Sequence, residues 1–131
     1  MNDLRLAATV LDCPSPRDLA EFYRRLTGWD YAPGHAGVDP AGDRWLVLVN
    51  PAGGDLAFAQ VDDHRPPTWP DPGDGHPTQV HLDFRVGALE KQVERARGLG
   101  ARVLVNPLAD PDDPVVVLAD PAGHPFCLVR G

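Results

Sequence analysis

Short apolar runs alternate along this chain with breaks rich in Gly, Pro and Asp, and the period of each run predicts its element. Leu4 to Leu11 is a compact apolar run closed by Asp12-Cys13-Pro14, which predicts a strand. A helix follows, with Ser15 as N-cap, Pro16 in the first turn, Asp18 near the positive helix end, and Leu19, Phe22, Tyr23 and Leu26 at spacings of 3 and 4. Gly28 fits the left-handed stop. Trp29 to Ala32, Arg44 to Asn50 and Asp55 to Val61 then read as three short strands, so the first half is β-α-β-β-β.

The second half repeats the order. From Gln79 to Val86, Gln79, His81, Asp83 and Arg85 alternate with Val80, Leu82, Phe84 and Val86, the pattern of a strand with one buried face. Ala88 to Leu99 reads as a helix with Leu89, Val93, Ala96 and Leu99 on one side, stopped by Gly100. Arg102 to Val105, Val115 to Ala119 and Phe126 to Arg130 complete three more strands. The wording itself repeats: Leu48-Val49-Asn50-Pro51-Ala52-Gly53 answers Leu118-Ala119-Asp120-Pro121-Ala122-Gly123 at a constant offset of 70 residues. A duplicated module is the economical explanation. The expected organisation is one domain over residues 1–131, with module 1 at about 4–61, a loop at 62–78 and module 2 at about 79–131. That loop carries five prolines in seventeen residues with Trp69 at its middle, and structureless connections of such length are usually lids, binding loops or linkers. The prolines flanking Trp69 argue against regular structure there, which leaves its ring to cover an apolar surface.

Composition narrows the function. At 131 residues the chain buries a sufficient core without disulfides or metal. Its two cysteines, Cys13 and Cys127, are therefore expected as free thiols in a reducing, cytoplasmic compartment. The start, MNDLRLAATVLDC, lacks a basic leader and reads as a strand rather than a signal peptide. Twelve Lys+Arg against nineteen Asp+Glu give a formal net charge of -7, and Lys91 is the only lysine, so neither nucleic acid nor an anionic membrane is an expected partner. No apolar run approaches the roughly 20 residues needed to span a bilayer. Gly-x-Ser-x-Gly elbows, phosphate-binding Gly-rich loops and CxxC pairs are all missing.

Val10-Leu11-Asp12, Glu21 to Trp29, Gln79-Val80-His81-Leu82-Asp83, Leu99-Gly100-Ala101 and Asp120 to Phe126, in this order over two β-α-β-β-β units, resemble the vicinal oxygen chelate superfamily of glyoxalase I, extradiol dioxygenases and the bleomycin and fosfomycin resistance proteins. The Pro66-Pro67-Thr68-Trp69-Pro70 loop is similar to that of its small glyoxalase-like branch. The resemblance implies an α+β fold of two tandem modules forming cupped mixed sheets with helices on the outer faces, and homodimers. It also implies, in metal-dependent members, four inward ligands of the His or Gln, Glu, His, Glu type around one divalent ion that acts as a Lewis acid. Carried over, the first of these falls on Arg5, a cation that cannot coordinate. His81 matches, and the last-strand glutamate position falls on Cys127. The 70-residue offset gives Ala57 as the first-half counterpart of Cys127, with Gln60 on the opposite face unless the strand slips by one residue.

The expected lining of the cup is Ala7, Thr9, Ala57, Ala59, Cys127 and Val129, with Arg5, His81, Asp83 and Arg85 supplying polarity. Small apolar side chains with a few polar groups suit a flat aromatic ligand. Trp45 and Trp69 are candidates to stack on it, with core packing the favoured reading for Trp29 and Trp45. Cys127 as a nucleophile is disfavoured, because Phe126 and Leu128 suggest a buried thiol. His124 lies in a turn, and His35, His64 and His76 read as solvated loop residues. The leading expectation is a homodimeric protein that binds an aromatic metabolite or antibiotic, with no cofactor and no assigned catalytic residue. The alternative is a metal-dependent lyase or oxygenase of glyoxalase or dioxygenase type, in which His81 with Asp83 or Gln60 holds Fe, Ni, Zn or Mn.

Overall fold

The computed structural model describes residues 3–40, 42–70, 73–105 and 110–131. The chain is a mixed α+β protein that divides into two compact units, Met1–His64 and Arg65–Gly131. Most of the proline-rich loop therefore travels with the second unit.

The first unit runs β1 (Ala8–Cys13), α1 (Pro16–Thr27), β2 (Trp45–Leu48) and β3 (Asp55–Gln60). Its sheet has the order β1-β3-β2, with β1 parallel and β2 antiparallel to the central β3. Helix α1 begins and ends where its sequence demands. The Ser15 hydroxyl accepts from the Asp18 N–H, Pro16 occupies the first turn, and Gly28, at φ 77°, donates its N–H to the Arg24 carbonyl. Leu19, Phe22 and Tyr23 are buried, and Tyr23 stacks on Phe58 of β3 at 5.9 Å. The register places Leu46, Leu48, Leu56, Phe58 and Cys13 on the α1 side of the sheet and Val10, Trp45, Val47, Ala57 and Ala59 on the other.

The second unit runs β4 (Pro67–Thr68), β5 (His76–Pro77), β6 (Leu82–Val86), α2 (Leu89–Gly98), β7 (Arg102–Val103), β8 (Val115–Ala119) and β9 (Pro125–Arg130). Its main sheet has the order β6-β9-β8-β7, with β6 parallel to β9 and the other pairs antiparallel. Phe84 meets Phe126 edge to face at 6.2 Å, on the face that also carries Leu82, Leu128 and Leu118. The opposite face carries Asp83, Arg85, Cys127, Val129, Val115 and Val117.

Several boundaries differ from expectation. Strand β1 starts at Ala8, four residues later than the apolar run, and Leu4 and Leu6 stand exposed. The strand expected at Trp29 to Ala32 is a single bridge between Tyr31 and Leu48, because the chain turns at Ala32, whose carbonyl accepts from the His35 N–H at 3.0 Å, while the Val47 N–H goes to His35 Nδ1. Strand β6 starts at Leu82, opposite Phe126, since its partner begins only at Pro125. The loop at 62–78 is not structureless: β4 and β5 pair in parallel, Pro67 with His76 and Thr68 with Pro77. Proline is tolerated there because a two-residue edge ladder has little need of its missing donor. Residues 71 and 72 of this loop lie outside the described residues.

The duplication is visible in atoms. After β2, Asn50 Oδ1 accepts from the Ala52 N–H at 3.0 Å, and the Gly53 N–H donates to the Asn50 carbonyl at 2.9 Å. After β8, Asp120 Oδ1 accepts from the Ala122 N–H at 2.9 Å, and the Gly123 N–H donates to the Asp120 carbonyl at 2.8 Å. Both glycines take the left-handed conformation, at φ 95° and 93°, which side chains resist.

The first unit also holds a polar clasp that sequence reading missed. Arg17 donates to both oxygens of Asp43, at 2.9 and 3.0 Å, and to the carbonyls of His35 and Gly37, at 2.9 and 2.7 Å. Its guanidinium lies 5.0 Å from the centre of the Tyr31 ring, and the Tyr31 hydroxyl donates to Glu21. His35 is not solvated as expected: its Nδ1 accepts from the Val47 N–H at 3.0 Å. Arg17 thus ties the segment between the Tyr31 bridge and β2 to helix α1. Arg17→Met is expected to lower stability by about 2 kcal/mol. Hydrogen bonds from Arg17 hold the Asp43 carboxyl down from 3.8 to about 2, and hydrogen bonds from Arg24 and then Tyr31 hold Glu21 down from 4.5 to about 2. Carboxyls depressed in the folded state stabilise it above their unfolded values and lose that contribution as pH falls towards 2. Urea unfolding followed by circular dichroism should therefore show stability falling between about pH 4.5 and 2, and falling less steeply in Arg17→Met. An identical pH slope in both proteins would show that the clasp does not carry the effect.

Candidate functional site

Two geometric rules bring three donor side chains together in the second unit. Residues two apart in an extended chain share a face, which puts His81 beside Asp83, and register places Asp83 directly opposite Cys127 on the neighbouring β9. His81 Nε2 lies 3.4 Å from Asp83 Oδ1, and one ligand atom from each of His81, Asp83 and Cys127 falls within 4.8 Å of the others. His81 and Asp83 are open to solvent, whereas Cys127 is 5% exposed. Burial, and then the facing Asp83 carboxylate, pushes the Cys127 thiol up to about 12, so this cysteine is a protonated thiol and no ready nucleophile. Neither cysteine is in a disulfide.

Trp69 belongs to the same group. Its ring stands edge to face with His81 at 5.9 Å, and its Nε1–H donates to the Val105 carbonyl at 2.8 Å. The indole is anchored at one end and covers an imidazole, rather than a purely apolar surface as expected. Arg85 shares the face of Asp83 but runs towards the chain end, where a Cβ on Gly131 would meet it at 2.5 Å. His124 is paired with Asp120, Nδ1 to Oδ2 at 2.9 Å, and serves the turn before β9.

The first unit presents a different surface. Trp45 is 48% exposed and Val10 44% exposed, on the face turned away from α1. Register aligns Trp45 with Ala59, and Val47 with Ala57 and Val10. Core packing, the favoured expectation for Trp45, is overturned, because strand parity turns this indole away from α1. Trp29 is half-buried. Ala57 and Ala59 share the parity of Trp45, on the face turned away from α1, where Ala57 is wholly buried and Ala59 half-buried. Thr9 does not: it pairs with Leu56 on the α1 side, because the first strand is offset by one residue from the expected parity. By the same parity Ala8, not Ala7 or Arg5, heads the face turned away from α1. Arg5 precedes the strand and is exposed. Gln60 pairs with Cys13 at the end of β3, on the parity opposite to Ala57, and its amide donates to Asp62 at 3.1 Å. No slip brings it onto the face of Ala57.

The internal repeat tests the fit of a four-donor metal centre. Cys127 corresponds to Ala57 by the offset, both being central-strand residues flanked by Asp83 and Val117 in one unit and by Val10 and Val47 in the other. Asp83 then corresponds to Val10, and His81 to Ala8. Neither Ala8 nor Ala57 carries a coordinating atom, so the donor set of such a centre is present in the second unit and missing from its first-unit counterparts.

Fold, repeat and register together define a two-module protein of the vicinal oxygen chelate class. A sequence model of the glyoxalase-like domain matches residues 8–129, and the chain belongs to that family. No curated protein matches the sequence. Among solved structures it is similar to a glyoxalase/bleomycin resistance protein/dioxygenase family enzyme from Burkholderia phytofirmans, with a TM-score of 0.73 and 15% identity over 97% of this chain and 98% of that one. A glyoxalase-related enzyme from Fulvimarina pelagi gives 0.67 and 19% over 97% and 88%. The fosfomycin resistance protein FosX from Mesorhizobium loti gives 0.65 and 13% over 100% and 94%. At these identities the likeness establishes the fold, as expected from the sequence. No helix among the described residues is long and apolar enough to cross a membrane.

Proposed function

We propose that this protein binds a flat aromatic small molecule, a metabolite or an antibiotic, and that binding itself is the function and needs no metal. The observation that carries the reading is the face of the first unit turned away from α1, where the exposed Trp45 stands in register with the small, half-buried Ala59 and Val10 is exposed on the neighbouring strand. An indole offers a stacking platform, and the small Ala59 beside it leaves room for a ring against the sheet edge. A glyoxalase/bleomycin resistance protein and a fosfomycin resistance protein are among the solved structures to which it is similar. The reading includes a homodimer and a reducing, cytoplasmic location, the latter supported by two cysteines outside any disulfide.

The metal-dependent lyase or oxygenase reading has one observation in its favour, the convergence of His81, Asp83 and Cys127. Against it, the first-unit counterparts are Ala8 and Ala57. The two readings separate in one experiment on protein treated with a chelator. Tryptophan emission is titrated with bleomycin and a panel of aromatic antibiotics. Saturable quenching is expected, with affinity at least tenfold weaker in Trp45→Ala, a loss of about 1.4 kcal/mol. Binding that appears only after metal is restored, or that is untouched by Trp45→Ala, would overturn the proposal.

A further inference from the structure

We propose that the second unit carries a further small-molecule site, a cleft for a small organic monocarboxylate anchored by Arg102. Its residues are neither those of the Trp45 face nor the group around His81, and it does not rest on the function proposed above.

Three connections meet at this cleft. Gly100, at φ 118°, lets the chain turn from the end of α2 into β7, where Arg102 pairs with Ala119. Asp120 to Gly123 then form the turn between β8 and β9. Pro66, just before β4, packs so closely on Gly123 that a Cβ on that glycine would collide with it. The space left between them is about 410 Å³, lined by Pro66, Pro121, Gly100, Gly123, Asp120 and Arg102. Sites for small organic ligands run from roughly 300 to 1,000 Å³.

The polar groups of the lining select the ligand, because all but one are already spent. Gly100 N–H donates to the Arg97 carbonyl, Asp120 N–H to the His124 carbonyl, and Gly123 N–H to the Asp120 carbonyl. The Ala122 N–H goes to Asp120 Oδ1, and the two prolines have no N–H to offer. The Asp120 carboxylate is itself buried and committed to the Ala122 and His124 N–H groups and the His124 ring. Arg102 is the exception. Its side chain is exposed and has no hydrogen-bond or ion-pair partner among the described residues, in a chain where nineteen Asp+Glu outnumber twelve Lys+Arg.

A guanidinium is a planar fork of donors that matches the two oxygens of a carboxylate. One fork, with no free backbone N–H beside it and the Asp120 charge on the same lining, suits a monoanion and opposes a phosphate dianion. The rings of Pro66 and Pro121 supply apolar surface for the organic part of the ligand, such as a single aromatic ring. A bare anion would leave that surface in water.

The test is titration of the isotope-labelled full chain with benzoate, followed by amide NMR. Parallel titrations use neutral benzamide, acetate, and phenyl phosphate, whose phosphate is largely dianionic at neutral pH. Benzoate is expected to move the amide signals of Gly100, Arg102 and Gly123 saturably, and the other three probes to bind at least tenfold more weakly. Arg102→Gln should weaken benzoate binding at least tenfold, whereas Arg130→Gln and Trp45→Ala leave it unchanged. Arg102 is an exposed side chain, and the amide spectrum of each variant reports its fold. No saturable shift at those amides, equal affinity for benzamide, acetate or phenyl phosphate, undiminished binding in Arg102→Gln, or loss of binding in Trp45→Ala would overturn the proposal. The Trp45-dependent quenching is read separately, so either proposal fails without the other.

Discussion

Replacing Asp120 by Ala is expected to lower the stability of the protein by about 3 kcal/mol, whereas Asp120→Asn should cost about 1 kcal/mol or less. The Asp120 side chain is wholly buried, and its Oδ1 accepts from two backbone donors, Ala122 N–H at 2.9 Å and His124 N–H at 3.0 Å. The His124 ring adds a contact at 2.9 Å. Truncation strands those N–H groups in the interior at the turn that launches β9, and an unsatisfied buried donor costs more than a hydrogen bond contributes. The first unit supplies the reason for the asymmetry. There Asn50 occupies the equivalent place, and its neutral amide oxygen accepts from the Ala52 N–H at 3.0 Å. An amide oxygen therefore suffices for this turn, and Asn at 120 keeps it. Urea denaturation of the two variants measures the difference. Equal losses would mean that the charge on Asp120, not the position of its oxygen, holds the turn.

How much of this was legible in the sequence depends on whether a strand alternates. Gln79 to Val86 alternates polar and apolar without interruption, so the common face of His81, Asp83 and Arg85 could be read directly, and register agrees. Leu6-Ala7-Ala8-Thr9-Val10 does not alternate. All its side chains are small or apolar, and its parity emerges only from pairing with Leu56 and Ala57, which is why the sequence alone puts Thr9 on the wrong face. Trp45 to Leu48 is apolar throughout and equally mute, so the exposure of Trp45 appears only once Ala59 is its partner. Cys127 sits in another continuous run, and it was the repeat offset, not periodicity, that tied it to Ala57.

Contacts between distant loops were not legible at all. Trp69 bonds to a carbonyl 36 residues away, and Arg17 reaches Asp43 across 26 residues. Neither pairing leaves a local signature, since each depends on where separate loops come to rest. The three-donor cluster falls between these extremes. His81 and Asp83 are neighbours by parity, but recognising Cys127 as the third donor requires the parallel pairing of an edge strand with the central β9. That pairing is non-local, and in the sequence only the family resemblance, not periodicity, ties Cys127 to the site.

The same repeat supports a second large effect. Gly123→Ala is expected to cost about 3 kcal/mol and Gly53→Ala about 1 kcal/mol, although the two glycines share a backbone conformation. A Cβ on Gly123 would lie 2.4 Å from the Pro66 Cβ, whereas one on Gly53 would meet nothing within 4 Å. Both variants bear the strain of a positive φ, so their difference isolates the collision. Relief requires Pro66 to retreat, and Pro66 leads directly into β4 and Trp69. The indole would then be drawn off the Val105 carbonyl and away from His81, to which it stands at 5.9 Å. Gly123→Ala should therefore shift tryptophan emission to the red and loosen the His81 ring, while Gly53→Ala leaves both unchanged. Denaturation and fluorescence on the pair decide it. Equal destabilisation would show that the loop yields freely, and that the approach of Pro66 to Gly123 does not hold Trp69 over the site.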